Sequence, residues 1–368
     1  MGQGNDTATL ADGTNFFMGD SGKLTASRAA DGLVTTQLES RTLDANYPGG
    51  NDTLFGGSGS DFAMMGQGDD SATLEDGSNF FMGDMGKLSA TIDAADKITV
   101  ALDSLDATAA SRDGADTLFG GAGSDFAVMG QGDDVANLFD GTNIFMGDVG
   151  DMDATLTAAG AAVVSRKSDP INTAALDGKD DLTTGSGSDF VIMGRGDDKA
   201  VLGNGANFFM GDSGEQNVTI GTDGSLSAAL NSDGPQLGAP DGNDDVTTGT
   251  DNDYVVMGRG NDKANLSDGI NFFMGDSGSM SVQRLADNSL TLNMQSEKST
   301  TIELDGDDEL KTGSGRDYAI LGLGNDTGDM GQGNSYVLAA DGTLTYYSPD
   351  GGTLFSLAME TLEISGNR

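Results

Sequence analysis

Gly56–Met64 reads GGSGSDFAM, and the chain returns to that phrase four more times. The copies are GGAGSDFAV at Gly120–Val128, TGSGSDFVI at Thr184–Ile192, TGTDNDYVV at Thr248–Val256 and TGSGRDYAI at Thr312–Ile320, each 64 residues from the last. A nine-residue period runs inside the long one. Asp52, Asp61, Asp70 and Asn79 hold one phase of it, and Leu54, Ala63, Ala72 and Phe81 hold another. Six turn-forming residues followed by three of strand character cannot bury their apolar position alone. Such rows must stack on their neighbours, which predicts an all-β repeat architecture.

The turns carry their own chemistry. Glycine reaches positive φ, so a short turn can reverse the chain and crowd carbonyl oxygens around one point. The aspartate adds a hard, charged oxygen. Calcium takes six to eight such oxygens and tolerates irregular geometry. The pattern is similar to the nonapeptide repeat of the RTX (repeats-in-toxin) family, GGxGxDxUx with U a large apolar residue. The resemblance covers the nonapeptide-rich half of every 64-residue unit. One departure is Ala63 and Ala127 at the U position, which predicts a thin core there. The resemblance implies a parallel β-roll (a β-solenoid), multiple Ca2+ ions and an extracellular bacterial protein. It also implies type I secretion, with the chain folding when it meets external calcium.

Two rows make one coil of such a roll, so alternate rows lie one above the other, about 4.8 Å apart. That stacks Asp52 over Asp70 and Asp61 over Asn79. The candidate metal ligands follow in series. Asp6 opens it, and the all-carboxylate pairs Asp52/Asp70, Asp116/Asp134, Asp180/Asp198, Asp244/Asp262 and Asp308/Asp326 are the stronger expected sites. Asp61/Asn79, Asp125/Asn143, Asp189/Asn207 and Asp253/Asn271 carry one charge fewer and should bind more weakly; Asp317 holds the same phase in the fifth unit. Asp69, Asp133 and Asp197, and the Gly-Asp residues Asp20, Asp84, Asp148, Asp212 and Asp276, are expected to add ligands or close the roll.

Composition narrows the function. The 368 residues hold 59 acidic and 18 basic side chains, a formal charge of −41. Such a chain repels itself and needs counter-ions to fold, which links folding to metal. The charge argues against nucleic acid as a partner. With no His and no Cys, the chain has no Ser-His-Asp or Cys-His arrangement, no zinc thiolate site and no disulfide. No catalytic residue stands out, and the expectation is a protein that is not an enzyme. No apolar run approaches the roughly 20 residues of a transmembrane segment. Arg195-Gly196-Asp197 spells an integrin-binding tripeptide, but Gln fills the Arg position in sister units, so it reads as coincidence. Met1-Gly-Gln-Gly-Asn-Asp matches Met65-Gly-Gln-Gly-Asp-Asp, so the sequence reads as opening in mid-repeat, a piece of a longer protein.

The units are drawn as 1–46 (partial, with its insert), 47–110, 111–174, 175–238, 239–302 and a degenerate 303–338, where Gly328 and Ser335 break the pattern. The apolar stretch 339–368 reads as a terminal cap or a linker to further repeats. Between successive blocks of rows lie inserts of constant length with alternating apolar runs around Asp31-Gly32, Asp96, Asp223-Gly224 or Asp287-Asn288, a hairpin signal. Residues flanking the inward position point outward, which makes one face of the rod apolar: Phe62, Met64, Phe80 and Met82, and their equivalents. Either each unit's hairpin covers that face, the favoured expectation, or neighbouring molecules do, giving self-association. The function expected is a calcium-binding structural segment of a surface layer, matrix or adhesin. The alternatives are a module binding cell-surface glycan, ice or a host surface, and the accessory region of a secreted enzyme or toxin. Threonine ladders on a flat face would favour ice, and only short runs such as Leu182-Thr183-Thr184 are visible along the chain.

Overall fold

The computed structural model describes residues 2–40, 49–104, 114–168, 178–232, 242–287, 289–297, 306–339, 342–348 and 354–359. The unit boundaries drawn near 46, 110, 174, 238 and 302 fall outside them. The described residues form two 11-stranded parallel sheets and one 12-stranded antiparallel sheet. No described helix is long and apolar enough to cross a membrane.

One unit shows how the sequence builds all three. Thr53–Phe55 lies in the first sheet, Phe62–Met64 in the second, Ser71–Thr73 in the first and Phe80–Met82 in the second. Gly86–Ile92 and Ile98–Ser104 then form a hairpin in the third sheet, and Thr117–Phe119 returns to pair with Ser71–Thr73. Stacked positions therefore alternate between 18 and 46 residues apart, the longer step containing the hairpin. The register is the predicted one: Leu54 faces Ala72 and Ala63 faces Phe81 along their sheets.

The interior between the first two sheets corrects the expectation of a thin core. In the first two whole units each coil pairs one large residue with one small: Leu54 with Ala63, Ala72 with Phe81, Leu118 with Ala127, Ala136 with Phe145. Large and small alternate along each sheet, so Phe81 and Phe145 flank Ala127 on both sides. Ala63 and Ala127 are fully buried, and these residues belong to one continuous cluster with Met65, Leu74 and Met129. The volume missing from one coil is filled by its neighbours, as close packing demands.

A second core lies between the second sheet and the hairpins. Phe62, Met64, Phe80 and Met82 are at most 1 % exposed there and pack with Leu88, Val100 and Leu102 of the hairpin. The chain covers its own apolar face with the hairpins. Their rings form a column: Phe62 stacks on Phe80 at 4.5 Å, and Phe80 on Phe126 at 4.9 Å. The column is interrupted at Ile144 and resumes at Phe190. The buried Arg166 guanidinium reaches in at this point, donating to the carbonyls of Phe145 and Phe190 and to Gln216 Oε1. Burial pushes that guanidinium down to about 9.

The hairpins also pair with each other, Val34–Ser40 with Gly86–Ile92 and Ile98–Ser104 with Gly150–Leu156. Gly150–Leu156 and Ala162–Ser168 bury alternate residues, as an antiparallel sheet with one solvated face should. Gly342–Ser348 and Leu354–Met359 form a sixth hairpin on this sheet. The apolar tail, expected as a cap or a linker, thus carries the last hairpin of the sheet. Gly22, Gly86, Gly150, Gly214, Gly278 and Gly342 open the hairpins at the 64-residue period, a signal the apolar composition of the tail masked.

One turn is strained. Gly59, Gly123 and Gly187 take positive φ, and the same position in the fourth unit is Asp251, at φ 100°. Asp251→Gly should therefore stabilise the calcium-loaded chain by about 1 kcal/mol, read as a shift of the denaturant midpoint. An unchanged midpoint would mean that the side chain compensates its own strain.

Candidate metal sites in the turns

The nonapeptide register delivers the predicted aspartates to two lines, one along each edge of the roll. On the edge where the chain enters the first sheet, the aspartates form an unbroken ladder. Asp6 N–H donates to Asp52 Oδ1 at 2.8 Å, Asp52 N–H to Asp70 Oδ1 at 2.6 Å, and Asp70 N–H to Asp116 Oδ1 at 2.8 Å. Asp116, Asp134, Asp180, Asp198, Asp244, Asp262, Asp308 and Asp326 continue it by the same bond. Each carboxylate thus holds the backbone of the adjacent coil with one oxygen. The second oxygens of Asp52, Asp70, Asp116, Asp134, Asp180, Asp244 and Asp308 are buried and accept no hydrogen bond.

Such oxygens are costly without a cation. Burial, then the repulsion of Asp52 and other carboxylates, pushes Asp70 up to about 8, although the Asp52 amide opposes the shift. Burial and Asp262 push Asp308 up to about 9. Asp116 is raised by burial first, then by Asp84, Asp134 and Asp70.

The opposite edge alternates Asp with Asn. Asp61 N–H donates to Asn79 Oδ1 at 3.2 Å, and Asn79 N–H to Asp125 Oδ1 at 3.1 Å. The pattern continues through Asn143, Asp189, Asn207, Asp253, Asn271 and Asp317. Ser335, a break in the sequence pattern, keeps the ladder because its hydroxyl oxygen accepts from Asp317 N–H at 3.1 Å. Burial raises Asp61 to about 6 and Asp125 to about 7.

Two residues on this edge escaped sequence reasoning. Thr184 and Thr248 stand where the first two whole units have Gly56 and Gly120. Their hydroxyls donate to Asp189 Oδ2 and Asp253 Oδ2 at 2.6 Å. Asp61 Oδ2 and Asp125 Oδ2, opposite the glycines, accept no hydrogen bond. The change from GGxGxD to TGxxxD was the available signal.

The donor set fits calcium. It consists of oxygens alone, several of them buried carboxylate oxygens without hydrogen bonds, beside backbone that no side chain crowds. At Gly83 an added Cβ would come within 2.0 Å of Asp116 Oδ2 and 2.3 Å of the Met129 carbonyl oxygen. Among the described residues no three acidic side chains close on a single point, so backbone carbonyls must supply much of any coordination sphere. Asp69, Asp133 and Asp197 lie exposed and accept amide hydrogen bonds from Ala115, Lys179 and Asn243, so they close turns. Arg195 of the Arg-Gly-Asp tripeptide is 5 % exposed, which removes it as an accessible recognition loop.

The two edges should differ in affinity. Asp134→Asn keeps the ladder acceptor but removes one of two stacked charges, and should weaken local calcium binding roughly tenfold. Asp61→Asn removes the only charge of its stacked pair and should empty a site that is weaker in the wild type. Calcium titration by calorimetry checks both, and equal starting affinities at the two edges would contradict the ranking.

The family model of the RTX calcium-binding nonapeptide repeat matches the chain in four stretches, residues 49–63, 108–136, 241–264 and 304–337. No curated protein and no solved structure matches the chain.

Proposed function

The chain carries RTX calcium-binding nonapeptide repeats, and from that premise we propose that it is a calcium-stiffened structural segment of a bacterial surface layer, matrix or adhesin. RTX repeats imply a secreted, extracellular protein and a calcium-binding repeat region. Export by a type I route and folding on arrival in external calcium belong to the proposal.

The observation that carries it is the continuous aspartate ladder from Asp6 to Asp326. A single device, repeated in every coil, ties metal occupancy to the stacking of the whole rod. Its formal charge of −41 makes the rod self-repelling until cations enter, so calcium switches the segment from a loose chain to a stiff spacer. The role is structural, not enzymatic. Its support is the lack of any His or Cys and the employment of the turn aspartates in the ladder. If copies associate, they do so through surfaces other than the covered apolar face.

A second reading, a binding face, has one specific observation in its favour. Thr35, Thr91, Thr99 and Thr155 come from four different strands and form one cross-strand row on the outward side of the third sheet. A flat row of hydroxyls at strand spacing suits a regular polar surface such as glycan or ice. The ladder was invisible along the chain because it runs across the hairpins.

Calcium titration followed by circular dichroism and light scattering tests the main reading. A rise in strand signal with monomeric scattering supports the spacer. The same rise with growth to large particles favours an assembling surface or matrix protein. No transition at millimolar calcium overturns the proposal.

A further inference from the structure

The outer face of the first sheet changes character along the rod. Thr7–Thr9, Thr53–Phe55, Ser71–Thr73, Thr117–Phe119 and Val135–Asn137 are neighbours in that order, and each turns its middle residue inward and its first and last outward. None of those outward residues is charged, although the chain carries a formal charge of −41. In the strands that follow, the same face bears Asp181, Lys199, Asp245, Lys263 and Glu309, with opposite signs paired across neighbouring strands.

The neutral half holds exposed aromatic rings. Phe55 is 46 % exposed and Phe119 41 %. Phe55 pairs with Thr73, and Thr73 with Phe119. The two phenylalanines therefore stand two strand spacings apart, about 9.5 Å along the rod. That is beyond the range over which rings stack, so neither covers the other. A third exposed ring, Phe139, follows in the turn after Val135–Asn137. Exposed rings gathered on one face mark a contact surface.

The pattern selects the occupant. Thr73 lies between the rings and Asn137 beyond them, so apolar contacts alternate with hydroxyl and amide groups. A protein partner would call for a continuous apolar centre. A polysaccharide alternates in the same way: a pyranose packs its C–H face on an aromatic ring and offers hydroxyls to the polar side chains beside it. In an extended β-linked chain every second sugar presents the same face, close to the spacing of Phe55 and Phe119. Charge narrows the class further. Exposed carboxylates border the strip, Asp69 and Asp133 on one edge and Asp76 and Asp140 on the other. They accept hydrogen bonds from sugar hydroxyls and repel an anionic polymer.

We propose that this face, centred on Phe55, Thr73 and Phe119, binds a neutral, extended β-linked polysaccharide lying along the rod. The site goes beyond the spacer role, and it is separate from the threonine row of the third sheet.

The test uses the whole calcium-loaded chain, with cellulose and chitin as neutral probes and alginate as the anionic one. Depletion of protein from solution gives each binding isotherm. The expected result is retention on cellulose, chitin or both, and none on alginate. Phe55→Ala combined with Phe119→Ala should weaken that retention at least about tenfold, with circular dichroism unchanged because both rings lie on the surface. Phe55→Tyr combined with Phe119→Tyr should keep it. A wild-type chain retained on neither neutral probe, or equally well on alginate, overturns the proposal. A double alanine variant that binds like the wild type overturns it too, by placing the contact elsewhere. If that variant differs from the wild type only in mass by light scattering, a second copy of the chain occupies the face and the polysaccharide reading is lost.

Discussion

Stripped of calcium at pH 8, the chain should lose both parallel sheets, and acidification to pH 5 in chelator should bring strand structure back. The direction follows from the buried carboxylates. In the metal-free fold Asp52 and Asp61 rise to about 6, Asp125 and Asp253 to about 7, Asp70 to about 8 and Asp308 to about 9, from an ordinary value of 3.8. Desolvation is the largest cause in every case. A carboxyl raised on folding favours the fold while it is protonated. That contribution is fully present below the unfolded value and is lost as the pH climbs through the folded values, here from 6 to 9. Protons thus stand in for the cation by neutralising the ladder. Calcium reverses the sign, because it binds the ionised form, so loaded chains gain stability over the same pH range. Far-ultraviolet circular dichroism at pH 5 and pH 8, with calcium and with chelator, gives the four states. Equal strand content with and without calcium at pH 8 would separate folding from metal and defeat this account.

Much of this arrangement was legible because the nine-residue phase is strict. Once Asp52 and Asp70 occupy the same phase on alternate rows, a two-row coil must stack them, and the ladder bonds follow. The hairpins were legible from their constant length and Asp-Gly turns. Their assembly into one sheet was not. Strands that pair across units, such as Ile98–Ser104 and Gly150–Leu156, share little sequence, and only the recurrent opening glycine marks their register. The filled core around Ala127 was hidden for a related reason. Its volume is supplied by Phe81 and Phe145, which lie in other rows and become neighbours only when coils stack. The threonine hydroxyls of Thr184 and Thr248 were overlooked because a departure from a glycine pattern reads as decay. In the folded chain they donate to Asp189 and Asp253, whose counterparts opposite Gly56 and Gly120, Asp61 Oδ2 and Asp125 Oδ2, accept no hydrogen bond.

Phe80→Ala should be the most damaging single substitution in the hairpin-covered core. The ring is fully buried between two others, 4.5 Å from Phe62 and 4.9 Å from Phe126. Removing it deletes the transfer energy of the side chain and leaves a cavity that the stacked strands cannot close without breaking register. The cost should be about 3–5 kcal/mol in the calcium-loaded chain. In a stack where each unit touches only its neighbours, that cost is local, so thermal unfolding should split into two transitions. Phe119→Ala provides the contrast: its ring is 41 % exposed on the outer face of the first sheet, and its loss should stay within about 0.5 kcal/mol. Sedimentation at equal concentration completes the measurement. If the hairpins are the true cover of the apolar face, Phe80→Ala destabilises the single chain and leaves its mass unchanged. A variant that kept its stability and changed only its association state would mean that other molecules, not the hairpins, cover the face.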